Sequence, residues 1–379
     1  MQNKTLNKLL QFILILSSIG VFQRITITKQ IRFFLFEPLF YIFLIICAIY
    51  CRKKLFKLLK KEFRILIFFL LFLYLHFFLS FYFFEFRINL IAFLYLLRLS
   101  FFLVSFPILF IFFQKEDIKV FKKTSRIFLL LIIVFSITQF FLYPNLRNLQ
   151  YQGWDPHLWR MFGVFLDTYL QAAISGMLGF AALYLNWKMI GYTLLSFVVF
   201  SFSRAGILSL LFSFLFFSNL NQRKKTLFLP IIIFAATAVF YLNPFTAGDI
   251  FRTATIKTRI EDAKQAVLLS KKTLFLGVGY NRISAFKKEK YAKEIADIKP
   301  LYNAKSFFHN VYLTLLASGG IVGLILFILM LIQFIKLYPF AKIWSFVLIF
   351  SLFDNVLLHT FVLFYLSFFL NLVKKITEK

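Results

Sequence analysis

Apolar residues run along this chain in long unbroken blocks, not in the two-residue alternation of a half-buried strand or the narrow stripe of a soluble amphipathic helix. Residues 65–84 and 311–335 are each long enough to cross a hydrocarbon layer of roughly 30 Å, which takes about 20 apolar residues in a helix. Blocks of this kind predict twelve spans, near residues 9–23, 31–51, 63–84, 88–113, 126–143, 162–185, 188–203, 205–220, 226–243, 309–335, 340–354 and 358–373. In lipid a backbone has no water to satisfy its polar groups, so the expected fold class is all-α, a polytopic transmembrane helical bundle. Residues 340–373 taken as one helix would measure roughly 50 Å, too long for a bilayer, and Asp354-Asn355 marks the expected break. Lys4 and Lys8 ahead of the first block give it the outline of a secretory leader. No small-residue cleavage site follows, however, and further spans come at once, so it reads as a retained helix.

Composition strengthens this picture. Of 379 residues 61% are apolar and 59 are phenylalanine, with a mean hydropathy of +0.83. The phenylalanines read as lipid-facing surface, since they show no convergence with polar groups. Cys47 and Cys51, one helical turn apart beside Arg52-Lys53-Lys54, predict neither a disulfide nor a metal site. The net charge of +29 would suit a nucleic-acid binder, but on a membrane protein it orients the chain, and no nucleic-acid partner is expected. With the N-terminus inside, the densest basic runs, 52–64 and 115–126, fall on the cytoplasmic side. Both termini are then cytoplasmic, and the long segment 244–308, in which basic residues outnumber acidic ones, is external. This places Arg160, Arg204, Arg259 and His309 at the external face. Arg98 alone among the cations lies deep in a span, where a charge calls for a partner, and Glu37 beside Pro38 lies at a compatible depth for a structural ion pair.

Four local patterns carry candidate chemistry. Arg160-Met-Phe-Gly163 leads through Asp167 into a span, and Phe202-Ser203-Arg204-Ala205-Gly206 stands at a helix end. Arg259 opens an amphipathic stretch through Asp262 that runs to Leu276-Gly277-Val278-Gly279-Tyr280. His309-Asn310-Val311-Tyr312 opens a helix containing Gly320 and Gly323. Each pattern alone is common: an arginine at a helix end often only snorkels to headgroups, and a histidine there is often only a polar cap. Together, and in this order over residues 160–323, they resemble the shared core of the O-antigen ligase and polymerase superfamily. One position departs from that pattern, because Ser318 stands where the family often has an acid, so no carboxylate base is assigned there.

The resemblance implies a GT-C-like, metal-independent, inverting glycosyltransferase that takes a glycan from undecaprenyl diphosphate, with no cofactor. The residue types agree with that chemistry. Guanidiniums stay charged and hold phosphate oxygens in a fork, so Arg204 and Arg259, with Arg160 in support, are candidates for stabilising a diphosphate leaving group. Histidine as a residue type can take a proton near neutral pH, so His309 is the candidate general base or acceptor-orienting group, with Asn310, Tyr312, Gly277 and Gly279 supporting. The sequence has no Asp-x-Asp pair and no ligand-spaced cluster for a metal. Asp354 and His359 form a reserve acid-base pair, while His76 and His157 read as structural. The expected organisation is N-terminal helices over 1–150, a ligase or polymerase core over 151–335 and C-terminal helices over 336–379. The expected function is an O-antigen ligase-like transfer to lipid A-core at the external face of a bacterial inner membrane. Its rivals are a polymerase joining carrier-linked repeats, a protein O-oligosaccharyltransferase and, from another class, a lipid or glycan transporter.

Overall fold

The structure, a computed structural model, describes residues 4–28, 31–116, 118–152, 157–217, 253–273, 276–290 and 308–378. It is overwhelmingly helical. In chain order the helices are α1 (Lys4–Ser17), α2 (Phe36–Lys61), α3 (Arg64–Leu79), α4 (Phe86–Lys115), α5 (Ile118–Leu142), α6 (Thr168–Tyr184) and α7 (Lys188–Phe200). They continue with α8 (Arg204–Phe217), α9 (Thr253–Lys272), α10 (Ile283–Lys290), α11 (Val311–Leu337), α12 (Ala341–Phe350) and α13 (Thr360–Thr377). The helices α4, α5, α11 and α13 are each long and apolar enough to cross a membrane, and α2 with α3, which meet at 90°, count as a fifth if taken together. The span expected at 226–243 lies outside the described residues.

Two local expectations are corrected. The block from residue 31 does not begin as helix: Arg32–Phe34 pairs antiparallel with Arg24–Thr26 in a small ribbon before α2 starts. The block from residue 162 is not α-helical until Thr168: after a single 3-10 turn at Gly163–Phe165 the left-handed backbone at Leu166 (φ 54°) redirects the chain, and Asp167 then caps α6 by accepting from the Tyr169 amide at 3.0 Å. The break expected at Asp354-Asn355 is present, since α12 ends at Phe350 and α13 begins at Thr360.

The phenylalanines are also more than lipid-facing surface. Phe36, Phe40, Phe102 and Phe106 are fully buried, and rings meet across helices, as in Phe40 with Phe364 at 4.7 Å and Phe106 with Phe334 at 4.6 Å. Inside a bilayer burying apolar surface against lipid gains little, so helices associate through close packing. Offset and edge-on aromatic pairs contribute about 0.5–1.5 kcal/mol each to it. This core links both ends of the chain, with Leu10 and Ile13 of α1 in the same cluster as Phe364 and Leu372 of α13. Arg98 is joined to Glu37, as its burial demands, and it also reaches the Arg32 carbonyl and the Thr360 hydroxyl, each at 3.4 Å. The pair thus ties the ribbon, α2 and α4 to the start of α13.

Helices α3 and α11 run antiparallel. The Gln333 side chain accepts from the Ile65 amide at one end, and Phe72 packs beside Gly319 and Gly323 towards the other. Near that second end the α11 backbone breaks at Gly320 (φ 63°). The turn that follows α9 docks into this break.

Candidate functional site

The site begins at the N-terminus of α11. Asn310 caps the helix by accepting from the Tyr312 and Leu313 amides at 2.8 and 3.0 Å, while its own amide donates to the Leu352 carbonyl at 2.7 Å. The Val311 amide donates to the Ser351 carbonyl, and the Tyr312 hydroxyl to the Leu348 carbonyl. Asn310 and Tyr312 therefore fasten the start of α11 to the end of α12. That fastening sets His309, just before the cap, against Asp354 in the break between α12 and α13.

His309 Nδ1 lies 3.6 Å from Asp354 Oδ1. On the other side Arg259 Nη2 lies 3.4 Å from both oxygens of the same carboxylate, and its Nη1 donates to the Phe353 carbonyl. Three separate sequence regions thus meet at one nearly buried carboxylate: Asp354 is 7% exposed, whereas about a third of the Arg259 and His309 side chains remains open. Tyr169 stands within electrostatic reach of both Asp167 and Asp354, which brings the first turn of α6 to the same place.

Arg160 and Arg204 approach through the backbone. The Met161 amide donates to the Phe200 carbonyl at 3.0 Å, so the Arg160 strand crosses the end of α7 just ahead of Arg204. Gln139 fixes that strand by donating to the Arg160 carbonyl and accepting from the amides of Phe162 and Gly163. Arg204 is exposed at the start of α8, and Gly206, two residues on, packs against Phe350 at the end of α12. The arginines of the first two patterns therefore stand at the same end of the bundle as His309.

The glycine turn is architectural. The Val278 amide donates to the Ala317 carbonyl at 3.0 Å and the Gly279 amide to the Ser318 carbonyl at 2.8 Å, backbone on backbone beside Gly320. Gly277 (φ 79°) takes a conformation that L side chains avoid, and a β-carbon there would stand 2.5 Å from the Gly320 nitrogen. His76 hydrogen-bonds to the Gly277 backbone, which agrees with a structural reading. His157 is buried and packs near Phe162.

His359 does not pair with Asp354 as the reserve reading supposed. It is half-buried and stacked on Phe361, with its Nδ1 unbonded, one residue ahead of α13. The carboxylate lies instead against His309 and Arg259. Its signal was a lone acid in an otherwise apolar hairpin, a placement that is costly without a purpose. Arg282 carried no signal in the sequence: it is fully buried and donates to the Phe77 carbonyl, to Ser80 and, at 2.6 Å, to Asn89 Oδ1. Its guanidinium lies over Phe77 and Phe84, and burial draws it down to about 10. Among the described residues no three His, Cys, Asp or Glu side chains gather as a metal site would require.

Residues 189–328 match the family model described as O-antigen ligase, which supports the O-antigen ligase and polymerase superfamily. The match runs from α7 into α11 and covers Arg204, Arg259, Gly277, Gly279 and His309, while Arg160 and Asp354 lie outside it. No curated protein matches the chain.

Proposed function

We propose, proceeding from that family match, that the chain is a membrane glycosyltransferase of the O-antigen ligase kind. It transfers a glycan from undecaprenyl diphosphate to lipid A-core at the external face of a bacterial inner membrane. The observation that carries the reading is the convergence of Arg259, Asp354 and His309, with Arg160 and Arg204 at the same end of the bundle.

The chemistry follows from the geometry. With its Nδ1 side turned to Asp354, His309 leaves Nε2 to receive the proton of an acceptor hydroxyl. The hydroxyl oxygen attacks the anomeric carbon, the bond from that carbon to the diphosphate breaks, and the polyprenyl diphosphate leaves with both electrons of that bond. Asp354 holds the imidazole in orientation and offsets the positive charge it gains. Arg204, with Arg160 beside it, meets the charge that grows on the leaving group, and guanidiniums do this best where water is scarce. Arg259 serves both sides: it fixes Asp354 while its exposed portion faces the leaving group.

The test is transfer in vitro by the purified protein, from undecaprenyl-diphosphate-linked glycan to lipid A-core or to a second carrier-linked repeat. Consumption of lipid A-core by wild type, lost in His309→Ala, supports the proposal. Consumption of the carrier-linked repeat instead makes the protein a polymerase. No transfer to either from a verified donor overturns both assignments.

A further inference from the structure

Helix α9 has an outward face that no other described element covers. Its inner side is set on α11: Ala266 and Leu269 pack with Phe308 and Ala317, and Asp262 is buried on the same side. The outward side carries Ile260, Lys264, Val267, Leu268 and Lys271, all exposed, at the three- and four-residue spacing that lines side chains along one helix face. Ile260, Val267 and Leu268 are 52%, 42% and 46% exposed. Lys264 and Lys271 make no ion pair or hydrogen bond among the described residues. The acids of this stretch lie off the face, Glu261 half-buried on its flank and Asp262 inside.

Two observations say what covers this face. The first is its chemistry. Three aliphatic side chains side by side are poorly placed in water, and the two lysines among them are poorly placed against an apolar protein surface. A lipid interface satisfies both, since aliphatic groups sink towards acyl chains while lysines reach up to phosphates, and the charge that two lysines complement is negative. The second observation is depth. The 27 residues of α11 are long and apolar enough to cross a membrane, and they measure roughly 40 Å against a hydrocarbon layer of roughly 30 Å, so the first turns stand among headgroups. α9 rests on α11 no further in than Ala317, roughly 9 Å from the start of that helix at Val311. The exposed surface continues from α9 through Leu276 to Phe83, which line one cavity, and on to Tyr82 and Phe86, aromatic residues of the kind that gather at membrane interfaces.

We infer that the outward face of α9 is a binding surface for anionic phospholipid heads of the external leaflet: Ile260, Val267 and Leu268 enter the interfacial layer, and Lys264 and Lys271 pair with lipid phosphates. Lipid bound there presses α9 onto α11 and so keeps Arg259, the residue before Ile260, at Asp354. The assembly of the site thereby depends on the charge of the membrane around it. The leaflet and the consequence for transfer rest on the orientation and the role of Arg259 proposed above; the lipid contact itself does not.

The first test needs no turnover, so it fails separately from the transfer reaction. The full-length protein with Cys47→Ala and Cys51→Ala carries a nitroxide spin label at Val267→Cys or Leu268→Cys, in nanodiscs of phosphatidylcholine with phosphatidylglycerol. Oxygen, which partitions into lipid, should relax the label more than a water-soluble nickel chelate does. Relaxation chiefly by the chelate overturns the inference in favour of a solvated face, and protection from both overturns it in favour of a protein partner. The second test compares glycan transfer by wild type and by the double variant Lys264→Gln with Lys271→Gln. Their rates should match in nanodiscs of phosphatidylcholine alone. Adding phosphatidylglycerol should raise the wild-type rate, by at most about thirtyfold for two lysines at an anionic surface, and leave the variant unchanged. An equal gain in both proteins, or a gain in neither, overturns the pairing of these lysines with lipid phosphates.

Discussion

Asp354 lies between His309 and Arg259, 3.6 Å from the imidazole Nδ1 and 3.4 Å from the guanidinium, although 45 residues separate it from one and 95 from the other. Asp354→Asn keeps the shape of the group and removes its charge. Initial rates of glycan transfer should then fall about 10²-fold, the lower range of what a positioned base contributes. The double variant with His309→Ala should be little slower than His309→Ala alone, because the two side chains act as a unit. Additive losses would separate them.

Arg204 and Arg259 should differ in what they lose. Arg204 is exposed, so Arg204→Ala should lower kcat by about 10²–10³ while the protein melts at the wild-type temperature in detergent. Arg259→Lys keeps a charge but cannot span the Phe353 carbonyl and both carboxylate oxygens of Asp354, so it should lose activity nearly as fully as Arg259→Ala. Recovery of most activity in the lysine variant would reduce Arg259 to a point charge.

Gly277→Ala tests the glycine turn. The new methyl would meet the Gly320 nitrogen and the Ser318 carbonyl in a backbone conformation that by itself costs about 1–2 kcal/mol. The variant should melt several degrees lower, and an unchanged melting temperature would mean that the turn is not seated as described.

The Arg98–Glu37 pair should behave as a buried couple. Arg98→Met or Glu37→Gln alone leaves the other partner uncompensated at an expected cost of about 3–5 kcal/mol, while the double variant should recover much of the loss. Thermal denaturation of the three variants reads this directly, and single variants as stable as wild type would show the pair to be dispensable.

The order of these elements shows what the sequence could disclose. Long apolar blocks announced the helices because lipid permits little else, and the depth of Arg98 alone was enough to find Glu37. His309 and the arginines were legible because each sits in a short pattern at a helix end. Asp354 stood out as the break between spans and as a reserve acid beside His359, but its pairing with His309 and Arg259 arises only when α9 and the start of α11 are brought to the α12–α13 break, a relation between segments far apart in the chain. Arg282 read as one more cation in a basic stretch, because burial is a property of the folded loop. The ribbon Arg24–Thr26 with Arg32–Phe34 was hidden by the apolar block that follows it, and the late start of α6 by the left-handed backbone at Leu166, a residue that gives no hint of it.

The seat of the glycine turn on α11 has one more implication. Its two hydrogen bonds accept at the carbonyls of Ala317 and Ser318, so no side-chain chemistry at position 318 enters the joint. The serine found here therefore leaves the loop seated through backbone alone. Position 318 is thereby released from holding the loop by its side chain, and its complete burial becomes the constraint on what it can carry.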